Sequence, residues 1–182
     1  MYDQKLNIKY ISAGIIAVIL TWTVHEFTYW LTGELLGYET IVRLNGTSNF
    51  KGGNPTEWHR AIISISAPTI MILQGSIVFL VLKYRGWNKY LYPLLLTVFC
   101  IRFLAATMNF VNVDDEGRGA PFQGIGTSIL SIIVIVLLFY TVYDISKKYK
   151  LNGKFQLGTV LVIMVVSSIL ILSDHFLGKG TG

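Results

Sequence analysis

His25 and Glu26 stand side by side in an apolar run from about Tyr10 to Gly37, within the stretch Thr23-Val24-His25-Glu26-Phe27-Thr28-Tyr29. Ionisable side chains at such a place are costly, so they signal either a function or a partner that satisfies them. A histidine followed by a glutamate also opens the pattern by which one helix can hold zinc. In that pattern two histidines at i and i+4 share a face, and the glutamate takes a proton from a metal-bound water. Here the i+4 position is Tyr29. A neutral phenol is a poor zinc ligand and serves better as a hydrogen-bond donor, for instance to a substrate carbonyl. A zinc site needs three nitrogen or oxygen ligands, an open position for water and a nearby carboxylate. His25 would be one ligand and Glu26 the general base; the missing nitrogen would come from His59 or His175, and the oxygen from Asp114, Asp115 or Glu116. The plainer reading makes His25 and Glu26 a hydrogen-bonded couple facing Arg102 or a polar residue of another helix.

These side chains must be positioned by segments that live in lipid. The chain has 182 residues, of which 53% are hydrophobic and 14% charged, and its mean hydropathy is +0.57. That is well above what a water-soluble domain carries and marks an integral membrane protein. About 20 apolar residues cross a bilayer core as a helix. By that rule the sequence predicts about five transmembrane helices, near 10–36, 59–83, 90–112, 123–146 and 155–176. They are helical because lipid offers no partner to open backbone groups. The first run is read as a retained span and not a signal peptide, since it is long, carries His25 and Glu26 and ends in no cleavage pattern. The expected class is therefore an all-α integral membrane protein, a single membrane domain over 1–182, with a short β-like segment between the first two helices.

That β-like segment is Tyr38-Glu39-Thr40-Ile41-Val42-Arg43-Leu44, in loose alternation and followed by Asn45-Gly46 as a hairpin-type turn signal. The second span begins at Trp58-His59-Arg60 and carries Ser64, Ser66, Ala67 and Pro68, small residues that let helices approach closely. A single cysteine, Cys100, excludes an intrachain disulfide and a CxxC-type zinc cluster. The formal charge of +5 does not point to nucleic acid, because the basic residues collect in short connections between apolar runs. Lys5, Lys9, Lys83, Arg85, Lys89, Lys147, Lys148, Lys150 and Lys154 fall on one side, and the acid-diluted set with Arg43, Lys51, Arg60 and Arg118 on the other. The first side reads as cytoplasmic, giving the N-terminus inside and the C-terminus outside. His25 would then lie about 22 Å along the first helix, past the bilayer centre, with all three histidines and the acid clusters in the outer half.

In this order the features resemble the site-2 protease family of intramembrane zinc metalloproteases. In that family an HExxH helix precedes a membrane-associated β segment and a helix with a Trp-Gln-Arg-like start and an Ala-Gly-Pro-like motif. A later helix carries Asn-x-x-Pro leading to an Asp-Gly whose aspartate is the third zinc ligand. The corresponding features here are His25-Glu26, the segment 38–44, Trp58-His59-Arg60 with Ser66-Ala67-Pro68, and Asn109 with Asp114-Asp115-Glu116-Gly117. Tyr29 replaces the second histidine, Asn112 replaces the proline, and Glu116 precedes Gly117. The match covers 1–118 as a core and leaves two additional transmembrane helices over 119–182. It implies zinc held by His25, Asp115 and a substitute such as His59, with Glu26 as the catalytic group.

Three functions follow as expectations. The first is a degenerate, non-catalytic member acting as a binding protein or as a subunit of a membrane assembly, with transmembrane segments of other proteins as partners. The second is an active zinc-dependent peptidase cutting transmembrane segments. The third is a small transporter or proton-conducting protein using His25, Glu26, Arg102 and Glu34.

Overall fold

The computed structural model describes the backbone of residues 2–43, 46–51, 55–111 and 125–178, and side chains over 2–40, 55–107 and 132–173. Five helices fall within those residues: α1 (Ile8–Leu35), α2 (Glu57–Tyr84), α3 (Tyr92–Val111), α4 (Ile125–Lys148) and α5 (Gly153–Gly178). Between α1 and α2 lie two strands, β1 (Glu39–Arg43) and β2 (Gly46–Lys51). The predicted helices agree with these to within two residues at each end. Among the described residues three stretches, Ile8–Leu35, Glu57–Tyr84 and Gly153–Ser173, are long and apolar enough to cross a membrane. At 28 residues each, α1 and α2 are about 42 Å long, which exceeds a hydrocarbon core of about 30 Å. The protein is thus a helical integral membrane protein.

The β-like segment is one strand of a two-stranded antiparallel hairpin, in which Ile41 faces Ser48, Val42 faces Thr47 and Arg43 faces Gly46. The second strand fits the hairpin-type turn signal, although Gly46-Thr47-Ser48-Asn49-Phe50-Lys51 lacks apolar alternation of its own. The turn signal at Asn45 lies outside the described residues.

α3 is the hub, packing against α1, α2, α4 and α5. Its residues Tyr92, Leu95, Leu96, Thr97, Val98, Cys100 and Ile101 are all buried, as expected of a helix with neighbours on every side. α2 meets it with a stripe at helical spacing, Ala67, Met71, Gly75, Val78 and Leu82. Ala67 is fully covered while the neighbouring Ser64 is exposed, so only part of the small-residue cluster serves helix approach. α1 contributes Tyr10, Gly14, Ala17, Val18 and Thr21 on one face. Gly14 is needed there because a Cβ would come within 3.1 Å of Val162 on α5.

One end of the bundle is tied together by residues 2–7. Gln4 donates to the Lys150 carbonyl at 3.1 Å and accepts from the Asn152 amide at 2.6 Å. Tyr2 packs edge-on against Tyr149 and near Trp87, and Asp3 accepts from Lys89. Beneath this strap Tyr10 bonds Thr159 at 2.6 Å, and Tyr92 reaches Gln156 at 3.2 Å. The Lys89 ammonium hydrogen-bonded to Asp3, with the Lys5 amide, holds that carboxyl below the usual carboxylate value. A depressed folded-state value contributes stability that is fully present above the ordinary carboxylate range and is lost as pH falls through the lower value. The Asp3–Lys89 tie is therefore expected to let go only in acid below that range, while the two Gln4 bonds persist. A fluorophore on a cysteine replacing Tyr2, in a Cys100→Ser background and quenched by Trp87, should brighten there, and Asp3→Asn should remove that pH dependence.

Candidate functional site

The chain leaves α1 through a two-bond C-terminal lock. Gly37 adopts φ +86°, the Tyr38 amide donates to the Gly33 carbonyl at 3.1 Å and the Gly37 amide to Glu34 at 2.9 Å. This left-handed cap satisfies carbonyls that the helix end would otherwise leave open. Glu34 then grips the hairpin. Its Oε1 accepts from the Thr40 amide at 2.9 Å and the Thr40 hydroxyl at 3.1 Å, where the strand register breaks between Glu39 and Ile41. Gly33 makes room, since a Cβ there would lie 2.7 Å from the Thr40 methyl. Removing both bonds with Glu34→Ala should cost about 1 kcal/mol, seen as roughly fivefold faster amide exchange at Thr40. No change in that exchange would mean that Glu34 does not hold the hairpin.

Tyr38 in turn bonds His59 Nδ1 at 2.7 Å, with the rings 5.6 Å apart. His59 is in the first turn of α2, where Thr56 caps the helix by accepting from the His59 amide at 3.3 Å. His59 thus joins the exit of α1 to the entry of α2.

His25 and Glu26 are deeper. Counting ten residues from His25 to the end of α1 at Leu35 places the pair about 15 Å below the rim where His59 is bonded. His25 Nδ1 is 3.1 Å from Glu26 Oε1, and among the described residues this is the only charged contact of either. Glu26 is only 6% exposed, and its Oε2 is buried with no hydrogen-bond partner. Tyr29 stands edge-on to the His25 ring at 4.7 Å, and Trp22 lies on the other side at 6.4 Å. Arg102 is half-buried on α3. One turn below, Gln74 of α2 donates to Thr21 at 3.0 Å, while Thr21 donates to the Ala17 carbonyl at 2.8 Å. Gln74 Oε1 and Trp22 Nε1 are likewise buried without partners.

The expectation of zinc is overturned by this arrangement. Among the described residues no group of three His, Cys, Asp or Glu side chains could hold a metal ion. Two ligands of one zinc lie within about 4 Å of each other, given bonds of about 2 Å. His25 and His59 are separated by far more, about 15 Å along the bundle. Asp114, Asp115 and Glu116 lie outside the described residues, as does the side chain of His175.

Thr21 and Gln74 complete the polar cluster, and neither stands out among the histidines and acids of the sequence. A glutamine within an apolar span, at Leu73-Gln74-Gly75, is the signal that could have found them. Beside Gln74 an open apolar cleft of about 340 Å³ is lined by Leu20 and Val24 of α1, Ile70, Leu73, Ile77 and Val78 of α2 and Leu94 of α3. Fold and site together define a helical integral membrane protein with a polar cluster in its interior. No protein-family model, no curated protein and no solved structure matches the chain.

Proposed function

We propose that this chain is a non-catalytic, site-2-protease-like membrane protein whose five helices all span the bilayer. It works by binding a transmembrane segment of another protein, as a subunit of a membrane assembly. The observation that carries this reading is the cleft between α1 and α2. Its wall is apolar, with Leu73 and Ile77 more than half exposed on the face that lipid or a neighbour must cover. Contact with a second protein there gains van der Waals packing that fluid lipid tails supply less well. The polar cluster behind the wall supports the same reading. Glu26, Gln74 and Trp22 each keep a buried atom without a partner, a costly state in hydrocarbon, and Gln74 itself lines the cleft.

A photoreactive residue placed at Leu73, irradiated in native membranes, tests the proposal. The expected product is one protein adduct of defined mass in fixed ratio to the chain, absent when the label sits at Leu161, on the exposed face of α5. Adducts to lipid alone would overturn it.

A further inference from the structure

We infer that the strapped end of the bundle is a docking collar for anionic phospholipid headgroups. Lys5, Lys9, Lys83, Arg85, Lys89, Lys147, Lys148, Lys150 and Lys154 gather at this end, because residues 2–7 and the connections 85–91 and 149–152 are bonded to one another there. Only two acids accompany them, and both are already used. Asp3 pairs with Lys89, and Asp144 pairs with Lys83 at 3.1 Å. Lys5, Lys9, Arg85, Lys147, Lys148, Lys150 and Lys154 are left exposed, with no acid in ion-pair reach among the described residues.

The height of these charges selects the partner. Lys9 and Lys154 are in the first turns of α1 and α5, Lys147 and Lys148 in the last turn of α4, and Arg85 caps α2. The connections between these helices are short, so the cations sit where the apolar spans end and the headgroups begin. Exposed Tyr84 and Tyr90 lie at this end, and Tyr143 one turn deeper on α4. Tyrosine is the residue that settles at a membrane–water boundary. The Lys147 ammonium lies 5.9 Å from the Tyr143 ring, bridging the two layers. The cations come from separate chain segments and do not converge on a single point, which suits several lipid phosphates around a rim better than one free anion. An acidic soluble protein would need charges that project beyond the headgroups, and connections of this length do not provide them. Basic residues at that height are attracted to an anionic leaflet with a strength that falls off within a Debye length.

The inference is independent of the binding role proposed above. Its test is lipid selectivity of the full chain in phosphatidylcholine nanodiscs doped with spin-labelled phosphatidylglycerol or spin-labelled phosphatidylcholine. At low salt the protein-bound fraction should favour the anionic label by about twofold or more, and the preference should shrink as salt is raised. A variant carrying Lys9→Gln, Lys147→Gln, Lys150→Gln and Lys154→Gln should lose the preference while melting at the native temperature in a zwitterionic detergent. These four side chains accept or donate no hydrogen bond on which the strap depends. Arg60→Gln, at the opposite end, should keep the preference. Equal association of the two labels with the native protein, or an unchanged preference in the fourfold variant, would overturn the inference. So would inorganic phosphate abolishing the preference more strongly than chloride at equal ionic strength, which would assign the cations to a soluble anion. Binding of polyglutamate to nanodiscs that already contain phosphatidylglycerol would assign them to an acidic protein and overturn it equally.

Discussion

Replacing Gly75 with leucine should destabilise the bundle by about 3 kcal/mol, at the upper end for an overpacked core. Gly75 lies on the buried stripe of α2 where three helices meet. A Cβ added there would stand 3.2 Å from Leu138 of α4 and 3.3 Å from Val98 of α3. Those neighbours belong to a tight secondary core with Met71, Ile101 and Val134, so neither can retreat without opening a void behind it. Three further carbons have nowhere to go except by pushing α2 off α3. Gly75→Ala separates this effect from backbone propensity. Alanine gains about 1 kcal/mol as a helix former, and the two tight contacts oppose it, so its melting temperature should stay close to native. Thermal unfolding in detergent of the native chain and both variants checks this. A leucine variant that melts like the native protein would mean that α2 does not pack on α3 and α4 through Gly75.

The positions of the helices were legible because hydrocarbon imposes a length and a polarity that composition alone reveals. Gly37 marked the end of α1 for a local reason, the positive φ of its cap. The second strand left only the turn signal at Asn45-Gly46, since Gly46–Lys51 carries no apolar alternation to mark it. The functional residues divide in the same way. His25 and Glu26 announced themselves as charges within an apolar run, and they do contact each other. His59 was grouped with them because both fall in the outer half of the bundle, but half a bilayer is coarse. Ten residues of helix separate a side chain at the rim from one in the interior, and a zinc ion tolerates no such gap. The order of motifs along the chain carries no information about depth, and among the described residues no group of three ligating side chains comes together. Glu34, grouped with His25 in a conduction path, instead holds the hairpin through Thr40.

The double variant His25→Phe, Glu26→Leu should melt higher than the native protein and lose the adduct at Leu73 that the proposed binding role requires. An ionisable group at mid-helix costs about 3 kcal/mol to hold in a membrane, and leucine is mildly favourable there. Replacing a buried polar pair with apolar residues of similar volume is accordingly neutral or stabilising by about 1–4 kcal/mol. Here the expected gain is about 2 kcal/mol, in the middle of that range. Glu26→Leu alone should gain little or nothing. It leaves His25 Nδ1 buried without its 3.1 Å contact, a loss of about 1–3 kcal/mol for an unsatisfied group that offsets most of the gain. Glu26→Gln keeps an acceptor for His25 and should melt near native. The three variants distinguish a pair kept for stability from one kept for use. If the double variant melts lower, the couple is structural, and its burial needs no functional account. If it melts higher yet still yields the adduct at Leu73, the couple plays no part in binding, and the cleft acts by apolar packing alone. Higher stability together with loss of the adduct is the signature expected of polar groups retained against their cost because a partner helix reaches them.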